Sequence, residues 1–459
     1  MITALVALPS ITFPVKELRK IVAIQHYEER MLCWLLELAD PDTNVVYVSS
    51  IRIDPAIIDY YLGFLADSIG ARRRLHLVSL DDDTPRPLSM KLLERPEVLA
   101  EIRSLLSGAS RAYVWPFNVT ALEAEVARLI GVPLYGPHPD LVPLGSKSGS
   151  RHIAREAGVP VLRGAEDLTS GEEVERALFE VRDVLPTGAS AVIKLNNGFS
   201  GQGNAIVDLE DLAVPLNGSC MTFCAIEESW ANFEKTIISE GAVVEELLRS
   251  PGVFSPSVQM KITAGHRLEM LSTHDQILGG FEDQVYLGCR FPAQRPYRSA
   301  IQEHARRVGE VLVRRGVIGY FGIDFILEPG GADPSVYISE INLRMGGTSH
   351  PFYMTARLTR GRYDEGSGEL IAGGRAKYYV ATDNLKSKSL IGLPASGAID
   401  ALESADLGYD HTHRTGALLH LLGALERYGK VGATCIGDSM EEADALYANV
   451  VHALGDAVG

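Results

Sequence analysis

The sequence predicts an α/β protein built from several domains, and three observations carry that expectation. Its 459 residues are worth roughly three domains at about 150 residues each. Through the first 140 residues, short β-branched or aromatic runs alternate with helix-periodic stretches. Beyond them, strand-like runs come in pairs, one pair joined by a glycine-rich turn, with a long amphipathic helix among them.

Composition narrows the class further. Hydrophobic residues at 46% and charged residues at 22% are ordinary globular usage and exclude a mostly disordered chain. A net charge of −16 argues against coating nucleic acid or an anionic membrane, so neither is expected as a partner. Cys33, Cys220, Cys224, Cys289 and Cys435 are scattered and odd in number, which fits a reducing compartment and a cytoplasmic location. Cys220 and Cys224 have no second Cys/His pair nearby and read as buried thiols. No uncharged apolar run reaches bilayer-spanning length. Met1–Val15 carries no charge but has no basic start and contains Pro9 and Pro14. It reads as a buried strand, Leu5–Leu8, followed by a turn, and not as a signal peptide.

Taken in order, Val45–Val48, Leu75–Val78 and Ala112–Trp115 are strand-like, while Arg30–Ala39 and Thr120–Ile130 are helical between them. That alternation favours a parallel sheet with crossover helices. Gly131–Pro137 breaks the pattern and puts a boundary near residue 140. Ser170 and Glu173 have capping-box spacing ahead of Val174, Leu178, Val181 and Leu185 on one helical face. Ala191–Leu195 and Asn204–Leu209 read as strands flanking a glycine-rich loop. Val258–Leu278 and Ile318–Ile341 supply further strands, with a helix over Ser299–Arg315 between them. Arg360–Gly374, rich in glycine and charge, reads as a linker or mobile loop. Gly432–Ile436 is a strand, and a helix follows a second capping box at Ser439 and Glu442.

The commonest legible active sites are missing: no G-x-x-x-x-G-K-[ST] loop, no H-E-x-x-H, no G-x-S-x-G. Gly198–Gly203 lies between strands with glycines in the wrong order for a dinucleotide fingerprint. Lys194 closes a strand directly before that loop, whose backbone N–H groups can approach phosphate oxygens unhindered. A flexible hairpin with a snorkelling lysine is the bland alternative. Period-two alternation sets Glu340 and Asn342 on one face of a strand, with Asp324 on the preceding strand. Two carboxylates and an amide oxygen suit Mg²⁺, although a solvated hairpin face would carry the same residues. Glu245–Leu248 runs from a strand into a connection and can offer backbone groups to an adenine edge, or is simply solvated.

Lys147, Lys194 with its loop, Glu245 to Leu248, Asp324, and Glu340-x-Asn342, in that order, closely resemble the ATP-grasp superfamily over about residues 140–357. The resemblance implies a Rossmann-like N-terminal domain (1–140), a small lobe with the glycine-rich loop (141–248), a large lobe with the metal site (249–360) and a C-terminal α/β segment (361–459). It implies ATP as ligand, with Lys147, Lys194, Ser200, Gly201, Gln202 and Gly203 on the phosphates and Glu245 and the Leu248 backbone at adenine. It implies Mg²⁺, or Mn²⁺ in its place, on Asp324, Glu340 and Asn342. No carboxylate between Arg249 and Val258 is available for the ribose. Arg344 and Arg290 are candidates to hold a carboxylate or transferring phosphoryl group, with a structural salt bridge as the alternative for Arg290. Residues 420–435 are similar to the C-terminal domain of peptide ligases of the pheganomycin type. The activity implied is an ATP-dependent carboxylate–amine ligase, its partners a small carboxylate donor and an amino acid or peptide amine, with a homodimer as one option. A kinase on the same cradle and a non-catalytic nucleotide sensor are the rivals. Arg72–Arg74 and His411 with His413 read as exposed loop residues.

Overall fold

A computed structural model describes residues 1–198, 203–225, 228–249, 253–279, 285–330 and 334–457. Four parallel strands open the chain, in the spatial order Leu75–Ser79, Thr43–Ser49, Thr3–Leu8, Arg111–Pro116. The central strand Thr3–Leu8 is buried almost throughout, as a strand covered on both faces must be. The crossover helix Ala121–Ile130 begins at a true capping box, with Thr120 and Glu123 satisfying each other's backbone N–H groups. The Arg30–Ala39 helix starts earlier, at Ile24, and is wound as a 3₁₀ helix to Ala39. Arg74 is not merely solvated. Its guanidinium binds the carbonyls of Leu38, Asp40 and Thr43, holding the end of that helix to the sheet.

The middle of the chain forms two antiparallel sheets that face each other across a cleft. The smaller has the order Gly164–Leu168, Ala242–Leu247, Ser190–Leu195, Asn204–Asp208, Met221–Phe223. Its apolar side chains pack against the helices Gly171–Val184 and Trp230–Glu240. Among the described residues the larger sheet has ten strands, starting Ser335–Asn342, Gly319–Glu328, Pro256–Ile262, Leu268–Gly279, Val285–Phe291. The helix Arg295–Arg314, longer at its start than the sequence suggests, covers it with Ile301, Ala305, Val308 and Leu312.

The same large sheet continues into the C-terminal segment. Val285–Phe291 pairs with Arg375–Lys386, which pairs with Lys430–Gly437. Arg360–Gly374 is therefore not a linker: Arg362–Asp364 and Glu369–Ala372 form a hairpin on this sheet. The buried Glu369 carboxylate is matched there by Arg295 at 3.2 Å and Arg298 at 3.7 Å. One apolar core joins the N-terminal 3₁₀ helix to the C-terminal strands and helix. Within it Trp115 stacks on Trp34 at 4.8 Å and on Tyr320 at 5.4 Å, tying the parallel sheet to the large one. Among the described residues, no helix is long and apolar enough to cross a membrane.

Candidate active site

The cleft between the two antiparallel sheets has a volume of about 910 Å³. Lys147, Lys194, Asp324, Glu340, Asn342 and Arg344 all line it. Lys147 opens the helix Lys147–Glu156, whose N-cap is Ser146. Asn196 anchors that helix start to the small sheet, its side-chain oxygen accepting from the N–H and hydroxyl of Ser148 at 2.9 and 2.8 Å. Lys147 and Lys194 thus reach one cleft from separate elements. Burial, and then the Lys194 charge, pull the Lys147 ammonium down to about 7. Its Nζ meets the Glu340 carboxylate of the strand on which that helix packs.

Lys194 is held from behind. Its Nζ donates to Glu245 Oε2 at 2.7 Å, while Arg151 Nη1 donates to Glu245 Oε1 at 2.5 Å. Burial pushes the Glu245 carboxyl up, but Lys194 and Arg151 together outweigh it and hold the group below its ordinary value. The expectation for Glu245 is therefore corrected for its side chain: this carboxylate, 1% exposed, serves two cations and is not among the residues that line the cleft. Glu246, Leu247 and Leu248 are the cleft-lining residues of that stretch.

The carboxylates sit on the hairpin of Gly319–Glu328 and Ser335–Asn342, where Asp324 pairs directly with Glu340 and Gly322 with Asn342. A bulge after Asp324 resets the register. Asn342 Nδ2 donates to Asp324 Oδ2 at 3.0 Å and to Glu340 Oε1 at 2.8 Å. Gln276 Nε2 donates to Asp324 Oδ1 at 2.8 Å. Burial raises the Asp324 carboxyl to about 6 despite Lys147 and Arg344 nearby. Amide and ammonium donors thus occupy the space between two carboxylates that repel each other. A hard divalent cation with oxygen ligands fits this donor set.

Arg344 follows the same strand. It donates to Asn342 Oδ1 at 2.7 Å, and burial lowers its guanidinium to about 10. Arg290 is different and is corrected: it lies outside the cleft lining and pairs with Asp444 of the C-terminal helix at 2.9 Å, both half exposed. The salt-bridge alternative is what the fold uses. Gly203 is followed directly by Asn204, a cleft residue, while Ser200, Gly201 and Gln202 lie outside the described residues. His411 and His413 are exposed as expected, with His413 against Asp410. Cys220 is buried and Cys224 partly so.

Sequence reasoning missed Arg151, Gln276, Arg30, Tyr27 and Asp383. Arg151 stands four residues after Lys147, and Gln276 stands two after His274 in the strand Leu268–Gly279; both spacings were available signals. Arg30, Tyr27 and Asp383 carry no such signal, since the cleft wall they share joins the 3₁₀ helix to a strand more than 350 positions later. There Arg30 Nη1 meets Asp383 Oδ2 at 3.3 Å, with the guanidinium over Tyr27 and Phe117 at 4.8 and 5.1 Å.

Three families match in chain order: the Pre ATP-grasp domain over residues 29–132, the IQCH-like ATP-grasp over 220–365 and the PGM1 C-terminal domain over 397–450. The L-propargylglycine–L-glutamate ligase of Streptantibioticus cattleyicolor is 32% identical over 451 residues, which are 95% of this chain and 91% of that one. The chain belongs to the ATP-grasp ligases. It resembles the pheganomycin-type peptide ligases in its C-terminal segment as well. As an ATP-grasp ligase it is an ATP-dependent enzyme that joins a carboxylate to an amine. IQ motif-containing protein H of Danio rerio is 24% identical over 75% of the chain, but the ligase spans only 37% of that protein. Among solved structures, a biotin carboxylase–ATP-analogue complex from Campylobacter jejuni matches with a TM-score of 0.59 at 13% identity, covering 96% of this ligase and 89% of that chain. The ADP complex of N5-carboxyaminoimidazole ribonucleotide synthetase matches with a TM-score of 0.55 at 12% identity, covering 100% and 98%. At such identities these neighbours speak for the fold alone.

Proposed function

We propose that this ligase activates the carboxylate of one amino acid as an acyl phosphate and passes the acyl group to the amine of a second amino acid or a short peptide, releasing ADP and phosphate. The observation that carries the reading is the convergence of Lys147, Lys194, Asp324, Glu340 and Arg344 on one cleft. The pairing of two amino acids in the name of the Streptantibioticus ligase supports the substrate class.

In this reading Lys194, steadied by Glu245, and Lys147 bind the terminal phosphates of ATP and neutralise charge as the γ-phosphoryl group moves. Asp324, Glu340 and Asn342 hold Mg²⁺, which when bound supplies Lewis-acid stabilisation of that charge. Leu248 and its neighbours border the adenine. Arg344 binds the donor carboxylate, then the acyl phosphate. The cleft walls limit the access of water to that intermediate until the amine attacks. Thiols at Cys33, Cys220, Cys289 and Cys435 fit a cytoplasmic enzyme.

The test supplies ATP, Mg²⁺, a panel of amino-acid donors and short peptides, with mass spectrometry of all products. ADP, phosphate and a new amide are expected, and hydroxylamine should divert the donor to a hydroxamate. AMP as the coupled nucleotide would overturn the mechanism. Glu340→Gln should abolish turnover with the fold intact by circular dichroism, and near-normal turnover in that variant would sink the metal assignment.

A further inference from the structure

A second cluster of side chains adjoins the cleft, which its member Asp383 also lines, and is not used in the proposed reaction. His350 is the second residue of the helix Ser349–Thr359, directly after the Gly346–Thr348 loop that borders the cleft. Asp383 belongs to the strand Arg375–Lys386, and His420 ends the strand Gly416–His420. All three are buried, both histidines at 0% exposure and Asp383 at 4%.

Their inward atoms form a nearly equilateral triangle. His350 Nε2 is 3.2 Å from His420 Nδ1 and 3.2 Å from Asp383 Oδ1, while His420 Nδ1 is 3.1 Å from the same oxygen. The edge with hydrogen-bond geometry runs between the two imidazole nitrogens and leaves the carboxylate oxygen out. Asp383 Oδ1, although buried, makes no hydrogen bond of acceptable geometry. A triangle with these sides has a circumradius of about 1.8 Å, just under the roughly 2.0–2.2 Å of zinc–nitrogen and zinc–oxygen bonds. An ion about 1 Å out of the plane would touch all three atoms at bonding distance, the base of a tetrahedron with its fourth position open.

The surroundings are those of a ligand set. The other ring nitrogen of His420 faces Thr434 Oγ1 at 3.3 Å, which can fix the ring's tautomer. A Cβ at Gly432 would fall 2.0 Å from His420 Nδ1, so glycine there is what admits the ring in this position. Arg30 engages the outer oxygen of Asp383, which leaves Oδ1 for the triangle. Among the described residues, these three are the one group of His, Cys, Asp and Glu side chains whose ligand atoms converge in this way.

We propose that His350, Asp383 and His420 bind a divalent transition-metal ion, Zn²⁺ by preference, at a site separate from the nucleotide's cation. Two imidazoles and one carboxylate favour Zn²⁺, whereas Mg²⁺ favours an all-oxygen set. The ion ties the Gly346–Thr348 loop to the C-terminal strands and fixes the Asp383–Arg30 pair at the cleft. Full-length protein, stripped with chelator, is reloaded with Zn²⁺ in the presence of excess Mg²⁺ and ADP to fill the cleft, then gel-filtered and assayed by plasma mass spectrometry. One Zn²⁺ per chain is expected in the wild type and none in His420→Gln or His350→Gln. Thr434→Val should weaken Zn²⁺ binding by about 10- to 100-fold. Should the histidine variants fail to fold, Co²⁺ loading of the wild type decides instead, by the presence of visible bands of a low-coordinate nitrogen–oxygen site. No retained Zn²⁺ and no such bands in the wild type would overturn the proposal, as would Zn²⁺ retention undiminished in both folded histidine variants. None of these readouts depends on ligase activity, so they stand apart from the test of the reaction.

Discussion

Asp324→Asn is expected to make the nucleotide-free ligase more stable at pH 8 while abolishing its turnover. Burial lifts this carboxyl from 3.8 to about 6. At 1.36 kcal/mol per unit, a shift of about two units makes the ionised group cost about 3 kcal/mol in the folded state. Asparagine removes that cost, and because the Asn342 and Gln276 hydrogen bonds already hold the shift down, the gain is about 3 kcal/mol. Its pH window follows from the direction of the shift. A folded-state value above the unfolded one means the folded chain holds the proton more tightly, so the wild type loses stability as pH rises from about 4 to about 6. The variant has no such loss, and the gap between them should open across that window and stay level above it. Urea unfolding in chelator at pH 4.5 and pH 8 measures the gap, and added Mg²⁺·ADP should narrow it by stabilising the wild type alone. A variant less stable than wild type at pH 8, or a gap equal at both pH values, would refute the reasoning.

Glu245→Gln should destabilise the fold by about 3 kcal/mol by urea unfolding, because it leaves the buried Lys194 and Arg151 without their shared anion while Arg151 keeps Glu166 at 2.9 Å. The same variant should raise the KM for ATP, since Lys194 loses the partner that aims it. Arg290→Ala should change stability by less than about 1 kcal/mol and leave kcat/KM for ATP unaltered, as expected of a half-exposed pair outside the cleft. Trp115→Ala should cost about 3–5 kcal/mol in chemical denaturation, because both Trp34 and Tyr320 lose a stacked neighbour at the junction of two sheets.

What the sequence discloses depends on whether a signal is local. Amphipathic period and capping spacing are local, so the helices beginning after Thr120, Ser170 and Ser439 stand where their residues say. The Asp324, Glu340 and Asn342 group is also legible, since two alternating strands so near each other in the sequence can pair in few ways. Register between distant strands is not local. Nothing near Arg290 says that its strand will lie beside the C-terminal helix and find Asp444 there. Arg360–Gly374 misleads for a related reason. Its charges look solvated, but the buried Glu369 is answered by arginines from a helix some seventy positions earlier. Glu245 is read wrongly because two adjacent glutamates look alike until a strand sends them to opposite sides, one to Lys194 and Arg151, the other to the cleft.

The cleft lining has two origins in the chain, and in the proposed reading this separates ATP use from substrate choice. Lys147, Lys194, Leu248, Asp324 and Asn342 come from a continuous middle stretch that carries the superfamily pattern. The other wall is assembled from Tyr27 and Arg30 at the start of the chain, Gly346–Thr348, and Asp383 with Asn384 on a C-terminal strand. Those residues cohere because one apolar core packs the N-terminal 3₁₀ helix against the C-terminal strands, and Lys430 reinforces it by donating to Asn384 at 2.9 Å. A change at Tyr27 or Asn384 can reshape that wall without touching the phosphate cradle. Substitutions there should shift which amino acids are joined while the KM for ATP stays constant, and amide product profiles from mixed amino-acid pools measure that shift directly.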